Sequence, residues 1–316
     1  MKIDFSYNLK KIWNKLDLLT LLNNRMFDNL YVFNRNRREI KSVLLYFPNY
    51  EMMHLGDHLF FEPLARFLKL RGYDVTIAPI SSMEFYFRDL GFKISDPSGS
   101  DEVDLIISKV EFFRSLEKLE SQFILFDTAS AKILAPLCND LIDKVSRFLG
   151  LEVKSYDPIP SYVQVLKGVN LTVLDGNDQY IIFNNYIDSG SIRSGLGHQE
   201  VITNFVIELK RKTGFKVIHT GSLNDLNRDR KIYGFVDIDL RGKTSVGDLF
   251  ALCASSRVIY NVSFDGFQMH LFFIRNKKSF ILFRGRFLKR NEIYIKSYVN
   301  PPFRHSDSRS LIEYIG

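Results

Sequence analysis

The feature that most constrains this chain is a rhythm that occurs twice. Six-residue apolar runs alternate with longer stretches of helical period: Ser42–Phe47 (SVLLYF), Val75–Ile80 (VTIAPI), Asp104–Lys109 (DLIISK) and Phe123–Thr128 (FILFDT) read as strands. Segments 58–71, 81–90, 110–120 and 129–150 between them read as helices. Strands apolar at successive positions are buried on both faces, so the sheet is expected to be parallel and covered by helices on each side. Pro158, Pro160, Gly168 and the run Asp175-Gly176-Asn177-Asp178 then interrupt the pattern as a linker would. A second series follows, with strands at Tyr180–Asn185 (YIIFNN), Lys216–Gly221 (KVIHTG), Val236–Asp239, Val258–Val262 and Ser279–Arg284 (SFILFR). Helix-like segments 197–213, 246–255 and 267–274 separate them. The expectation is an α/β protein of two tandem doubly wound domains, 41–165 and 179–316, joined by a linker over 166–178 and preceded by a helical segment over 1–40. A length of 316 residues accommodates two such cores.

The leading segment carries its own signal. Phe5, Leu9, Ile12, Leu16, Leu19, Leu22, Met26 and Leu30 recur at intervals of three and four, which predicts an amphipathic helix. Lys10, Lys11, Trp13, Lys15 and Arg25 decorate it. Such a helix can dock on its own domain, or lie on an anionic membrane surface, or do both with different faces. Residues 1–41 hold nine Lys/Arg against four Asp/Glu, so most of the net charge of +7 sits there. A nucleic-acid binder would spread that charge over its folded body, and the asymmetry argues for a local anionic partner instead. Two cysteines, Cys138 and Cys253, are too few for a disulfide framework or a thiolate zinc site. No apolar run reaches the roughly 18 residues that span a bilayer, and the first residues lack a signal peptide's layout. The expected location is the cytoplasm, peripheral at the inner face of the cytoplasmic membrane.

Candidate chemistry gathers where predicted strands give way to helices. Asp57, at the mouth of the helix after the first strand, reads as an N-cap or as a carboxylate able to take a proton from a substrate hydroxyl, and the two roles are compatible. Glu62, a turn further on, is a weaker candidate for the same task. His54 and His58 have a metal pair's spacing, but no third ligand accompanies them. Asp237-Ile238-Asp239 matches the short D-x-D of metal-dependent sugar transferases, a triplet common enough by chance to carry no weight. The glycines at 190, 195 and 197 open a helix after the second domain's first strand, where backbone N–H groups suit a diphosphate. Arg193 in that loop would add a fixed cation. Farther on, Thr244 and Ser245 read as a helix cap, and the loop Ser263–Met269 runs into a helix at His270. That histidine is either a nucleotide contact or a hydrogen-bonded structural residue.

Gly242-Lys243-Thr244-Ser245, a helix, a strand and then Asp265 to His270 ahead of an apolar helix resemble the lipopolysaccharide heptosyltransferase family, glycosyltransferase family 9. Gly56-Asp57 followed by Pro63-Leu64-Ala65 is similar to that family's N-terminal motif, and Thr220-Gly221-Ser222 to its T-G-G segment. The resemblance implies two facing Rossmann-like domains, the first binding acceptor and the second binding a nucleotide sugar (the GT-B arrangement). It further implies a hexosyl- or heptosyl-type transferase that inverts the sugar and needs neither metal nor cofactor. Its acceptor would be a lipid-linked, lipopolysaccharide or capsule glycan. By the same resemblance Asp57 would be the base, with Arg193, Gly221, Ser222, Lys243, Thr244, Asp265, Gly266 and His270 around the donor nucleotide. Asp265-Gly266-Phe267 departs from the family's D-[ST]-G, and the K-x-W-P segment is absent. Those departures leave open a non-catalytic nucleotide-sugar-binding or scaffold protein that kept the fold, or a nucleotide-sugar epimerase of the same architecture.

Overall fold

The structure is a computed structural model. It describes residues 23–27, 30–34, 39–47, 55–95, 103–112, 116, 121–126, 137–152, 174, 176–186, 196–264, 266–275, 277–282 and 312–315. The chain divides into two units between Ile159 and Pro160.

The first unit runs through β1 (Arg25–Phe27), β2 (Leu30–Phe33), β3 (Ser42–Tyr46), α1 (Leu55–Leu70) and β4 (Asp74–Ala78). A 3₁₀ turn at Ser81–Met83 leads into α2 (Glu84–Asp89), then come β5 (Lys93–Ile94), β6 (Leu105–Lys109), a second 3₁₀ turn at Val110–Phe112, β7 (Gln122–Phe126) and α3 (Leu137–Phe148). The sheet order is β1-β2-β7-β6-β3-β4-β5. From β7 to β5 every pair is parallel. Counted from β3, those strands lie third, second, first, fourth, fifth, the doubly wound order in which the winding reverses beside the first strand. Val43, Leu44 and Leu45 in β3 and Leu105, Ile106 and Ile107 in β6 are all buried, as strands covered on both faces require.

The edge beyond β7 corrects the sequence reading. Met26 and Leu30, assigned to the amphipathic helix, lie in strands: β1 pairs antiparallel with β2, and β2 pairs antiparallel with β7, making the sheet mixed. Their spacing of four spans the turn between two short strands, so it marks no single face. Tertiary packing decides between the two readings. Leu30 and Val32 are fully buried opposite Phe126 and Ile124, and the Phe33 ring stacks on Phe123 at 4.7 Å. The rest of the predicted helix, residues 1–22, lies outside the described residues.

The second unit contains β8 (Tyr180–Phe183), α4 (Leu196–Thr213), β9 (Lys216–His219), α5 (Leu223–Arg228) and β10 (Ile238–Asp239). It continues with α6 (Val246–Ala254), β11 (Val258–Phe264), α7 (Phe267–Ile274), β12 (Lys278–Leu282) and β13 (Ile312–Tyr314). All six strands are parallel in the order β10-β9-β8-β11-β12-β13, which is third, second, first, fourth, fifth, sixth. One face presents Ile181, Phe183, Val217, Val262 and Phe280 to Ile202 and Val206 of α4. The opposite face carries Asn261, Ser263 and Ser279, which sit under the start of α7. Among the described residues no helix is long and apolar enough to cross a membrane.

Candidate functional site

In an open parallel sheet the strand order reverses between the first and fourth strands, and ligands bind beyond the carboxyl ends there. In the second unit those strands are β8 and β11. The turns leaving β9 and β10 stand beside them, and they carry four of the residues singled out from sequence.

Two glycines bring those turns together. Gly242 donates its N–H to the Gly221 carbonyl at 2.9 Å, tying the β10 turn to the β9 turn. Gly242 has φ of +68°, which favours glycine, and a Cβ there would meet Leu223 Cδ1 at 3.1 Å and Leu223 Cα at 3.3 Å. A Cβ on Gly221 would lie 3.0 Å from Asp225 Oδ2 and 3.3 Å from Arg241 Cγ. Their chemistry is therefore close approach of backbone. Ser222 is the N-cap of α5: its side chain accepts from the Asp225 N–H while Asp225 accepts from the Ser222 N–H, a reciprocal capping box. Ser245, rather than Thr244, caps α6 by the same device with Asp248. Lys243 extends its ammonium from the turn to the Asp239 carbonyl at 2.9 Å, and Thr244 is half-buried just before the cap.

Below these turns lies a residue that sequence reasoning passed over. Arg241 is buried, with its guanidinium forked onto both oxygens of Asp239 at 3.0 and 2.7 Å. The same group donates to the carbonyls of Asp229 at 2.6 Å and Lys231 at 2.9 Å, clamping the loop after α5. Hydrogen bonding from Arg241 holds the Asp239 carboxyl below the usual carboxylate range. Asp237 pairs with Lys210 at 2.7 Å and accepts from the Val217 N–H. Both acids of the D-x-D triplet are thus committed to protein partners. Asp229 turns inward: burial alone would raise its pKa, but donation from Tyr233, the Lys231 N–H and Asn185 lowers it overall. Burial and the bond to Asp229 push the Tyr233 phenol up to about 12. His219, 3.0 Å from Asn185 Oδ1 and 4.6 Å between ring centroids from Phe183, is held neutral by burial and then by the charge of Arg241, its pKa down to about 3.

A second cluster fixes the start of α7. Thr220 donates to Gln268 Oε1 at 2.7 Å, and Gln268 donates to Asn261 Oδ1 at 2.6 Å. Asn261 in turn donates to Ser263 and Ser279 at 3.0 and 3.1 Å. These buried groups satisfy one another and lock the helix that begins one residue after Gly266 to the ends of β9 and β11. His270 sits in that first turn, buried, with its backbone N–H donating to the Gly266 carbonyl at 3.3 Å. Asp265 and Arg193 lie outside the described residues.

In the first unit α1 begins at Leu55, so Asp57 is the helix's third residue rather than its N-cap. An acid is still favoured there by the helix dipole, and its side chain lies outside what the structure describes. Glu62 does not share its suggested role: the carboxylate is fully buried and ion-paired with Arg66 one turn along the helix. His58 is structural, accepting the Ile80 N–H at Nε2 (3.3 Å) between the rings of Phe47 and Phe87. Its proposed metal partner His54 is outside the described residues. Among the described residues no group of three or more His, Cys, Asp or Glu side chains could hold a metal ion.

The missed residues left a faint trace. Asn261-Val262-Ser263 is polar at alternate positions in an otherwise apolar strand, and Asp239-Leu240-Arg241 sets a carboxylate and a guanidinium two residues apart at the end of β10. Neither pattern names its distant partners.

No family model matches the chain, and no curated protein does. Solved structures do. The E. coli heptosyltransferase WaaC, solved with ADP, aligns over 86% of this chain and 93% of its own at 13% identity, with a TM-score of 0.51. A glycosyl transferase family 9 protein from Veillonella parvula aligns over 79% of this chain and 82% of its own at 14% identity and a TM-score of 0.50. The E. coli ADP-heptose lipopolysaccharide heptosyltransferase II aligns over 87% and 90% at 13% identity and a TM-score of 0.50. At such identities the likeness is one of fold. The chain has the α/β fold of the heptosyltransferase-type glycosyltransferases.

Proposed function

We propose that this protein is a glycosyltransferase that moves a sugar from a nucleotide donor to a lipid-linked, lipopolysaccharide or capsule-type glycan. The observation that carries the reading is the carboxyl edge of the second sheet. There Gly221, Ser222, Lys243, Thr244, Gly266 and His270 stand on the turns beside the point where strand order reverses. The sequence pattern they belong to resembles the heptosyltransferase family, and solved heptosyltransferases share the fold.

In the proposed reaction Asp57 accepts the proton of an acceptor hydroxyl, whose oxygen attacks the anomeric carbon from the side opposite the nucleotide. The bond to the diphosphate breaks, its electrons go to the leaving phosphate, and the sugar's configuration inverts. Arg193, Lys243 and the N-terminus of α6 would stabilise the charge that develops there. Asp265 and His270 would hold the donor nucleotide. A metal is not needed for that step when fixed cations and helix ends supply the charge, and the commitment of Asp237 and Asp239 to Lys210 and Arg241 favours this route. The basic N-terminal segment would hold the protein at the inner face of the cytoplasmic membrane.

Calorimetric titration with ADP, UDP, GDP and CMP, with and without EDTA, tests the reading: selective, EDTA-insensitive binding of one nucleotide is expected. Binding of none removes the transferase assignment and favours a scaffold. Asp57→Ala is expected to keep nucleotide affinity and lose transfer by about two or more orders of magnitude, and near-normal turnover would refute that base. Deleting residues 1–22, which spares β1 and β2, should weaken binding to anionic liposomes without changing nucleotide affinity.

A further inference from the structure

The loop that Arg241 clamps has an exposed face that nucleotide chemistry does not explain. Arg228, Arg230, Lys231 and Ile232 are all exposed, and Ile232 is the extreme case at 82%. An isoleucine in a surface loop needs no explanation when the loop can fold it away, but this backbone is fixed. The carbonyls of Asp229 and Lys231, on either side of Arg230, are both held by the buried guanidinium of Arg241. The one acid in the run, Asp229, spends its carboxylate inward on Tyr233 at 2.7 Å and on the Lys231 N–H at 3.1 Å. The clamp therefore turns the negative group inward and leaves the cations and the aliphatic side chain at the surface: Arg230 and Ile232 are exposed, as are Arg228, which donates to the Tyr186 hydroxyl at 2.6 Å, and Lys231, whose ammonium lies 5.1 Å from the centre of the Tyr233 ring. Leu223, at the first position of α5 and against Gly242, adds a second exposed aliphatic side chain at this edge, 59% exposed.

We infer that residues 228–232 form a contact point for an anionic lipid surface, with Ile232 entering the interface and Arg230 and Lys231 resting among the headgroups. A nucleotide or free phosphate would use the cations and gain nothing from Ile232. A protein partner of opposite charge would not call for an isolated aliphatic tip ringed by cations. A membrane of anionic lipid uses both, since a shallowly buried aliphatic side chain and adjacent Lys or Arg act together at the headgroup boundary. The contact lies on the second unit and is separate from the N-terminal segment, so it does not depend on the glycosyltransferase reading.

A local reporter tests it in the full-length protein: Ile232→Trp in a Trp13→Phe background, leaving a single tryptophan at the tip. With vesicles of equal parts phosphatidylcholine and phosphatidylglycerol the emission is expected to shift to the blue, and with pure phosphatidylcholine it is not. Adding Arg230→Glu and Lys231→Glu should weaken vesicle affinity roughly tenfold or more while the thermal midpoint and ADP titration stay unchanged. No blue shift, an equal shift on neutral vesicles, or a shift that survives both charge reversals overturns the inference. So does a loss of ADP affinity with vesicle affinity intact, which would place the cations at the nucleotide. Should ADP fail to bind even the unaltered protein, the transferase reading falls and the vesicle result still decides this one.

Discussion

The two sheets wind in the same order yet are held together differently. In the first unit the central strands are apolar nearly throughout, and the buried Ser108 spends its hydroxyl on the Tyr46 carbonyl of the neighbouring strand. In the second unit the corresponding fourth strand, β11, buries Asn261 and Ser263 among its apolar residues, and these reach Gln268 in the helix that follows. Strands that are mostly apolar, with a few polar ties such as Ser42 to Asp104, suffice to build this topology. The polar network adds something else, a fixed starting point for α7 and fixed turns after β9 and β10. The sheet that bears the nucleotide-site candidates is thus the one whose carboxyl edge is cross-tied by polar groups.

The comparison can be broken by attacking each kind of cohesion in turn. Leu44→Ala, at a fully buried position in the first sheet, should cost about 3 kcal/mol in chemical denaturation. It should leave the nucleotide affinity of the folded protein unchanged. Arg241→Met removes the partner of a half-buried carboxylate and of two carbonyls, and should cost about 2 kcal/mol. That variant should also release the loop after α5, read as new protease cleavage between residues 228 and 233. Gln268→Leu keeps the volume but takes the donor from Asn261 Oδ1 and leaves the Thr220 hydroxyl only the Phe183 carbonyl at 3.3 Å, an expected loss of about 1–2 kcal/mol. Nucleotide binding should weaken with it because α7 loses its anchor. If Gln268→Leu is silent in both measurements, the network is packing and no more.

The effect that is smallest at neutral pH, and grows only on acidification, is that of His219. His219 is neutral when folded, its pKa brought down to about 3 by burial, whereas in the unfolded chain it titrates near 6.5. The unfolded state therefore takes up the extra proton, and the stability His219 contributes is intact above pH 6.5 and lost progressively as pH falls toward 3. His219→Gln should flatten the denaturation midpoint over that window, by at most roughly tenfold in the folding equilibrium per pH unit. An unchanged acid limb would mean that the carboxylates of Asp229 and Asp239, not the imidazole, set the acid sensitivity of this edge.

The parallel strands were legible from sequence because strands buried on both faces read as unbroken apolar runs, as DLIISK and SFILFR do. The two-residue β5, the six-residue α5 and the three-residue β13 were not, since each is too short to repeat its period often enough to be read. The β1–β2 hairpin was misread because Met26 and Leu30 continue a three-and-four spacing that begins upstream, and only Phe126 and Ile124, nearly a hundred residues away, select the strand. Of the site, Thr244-Ser245 was visible as a helix cap, and Gly221, Ser222 and Gly242 only through the family resemblance; the partners Asp225 and Asp248 were not read from sequence. The clamp and the network were not, because Thr220 finds Gln268 across 48 positions and Arg241 finds the carbonyl of Asp229 across 12.

The bond from the Gly242 amide to the Gly221 carbonyl turns two loops into one plate. Loop amides ordinarily trade their protons with water on the time scale of local opening. This one cannot open without parting the turns after β9 and β10 together. The Gly242 amide should therefore keep its proton about as long as the strands themselves do. It serves as a clock, set in a loop, for the unfolding of the whole unit.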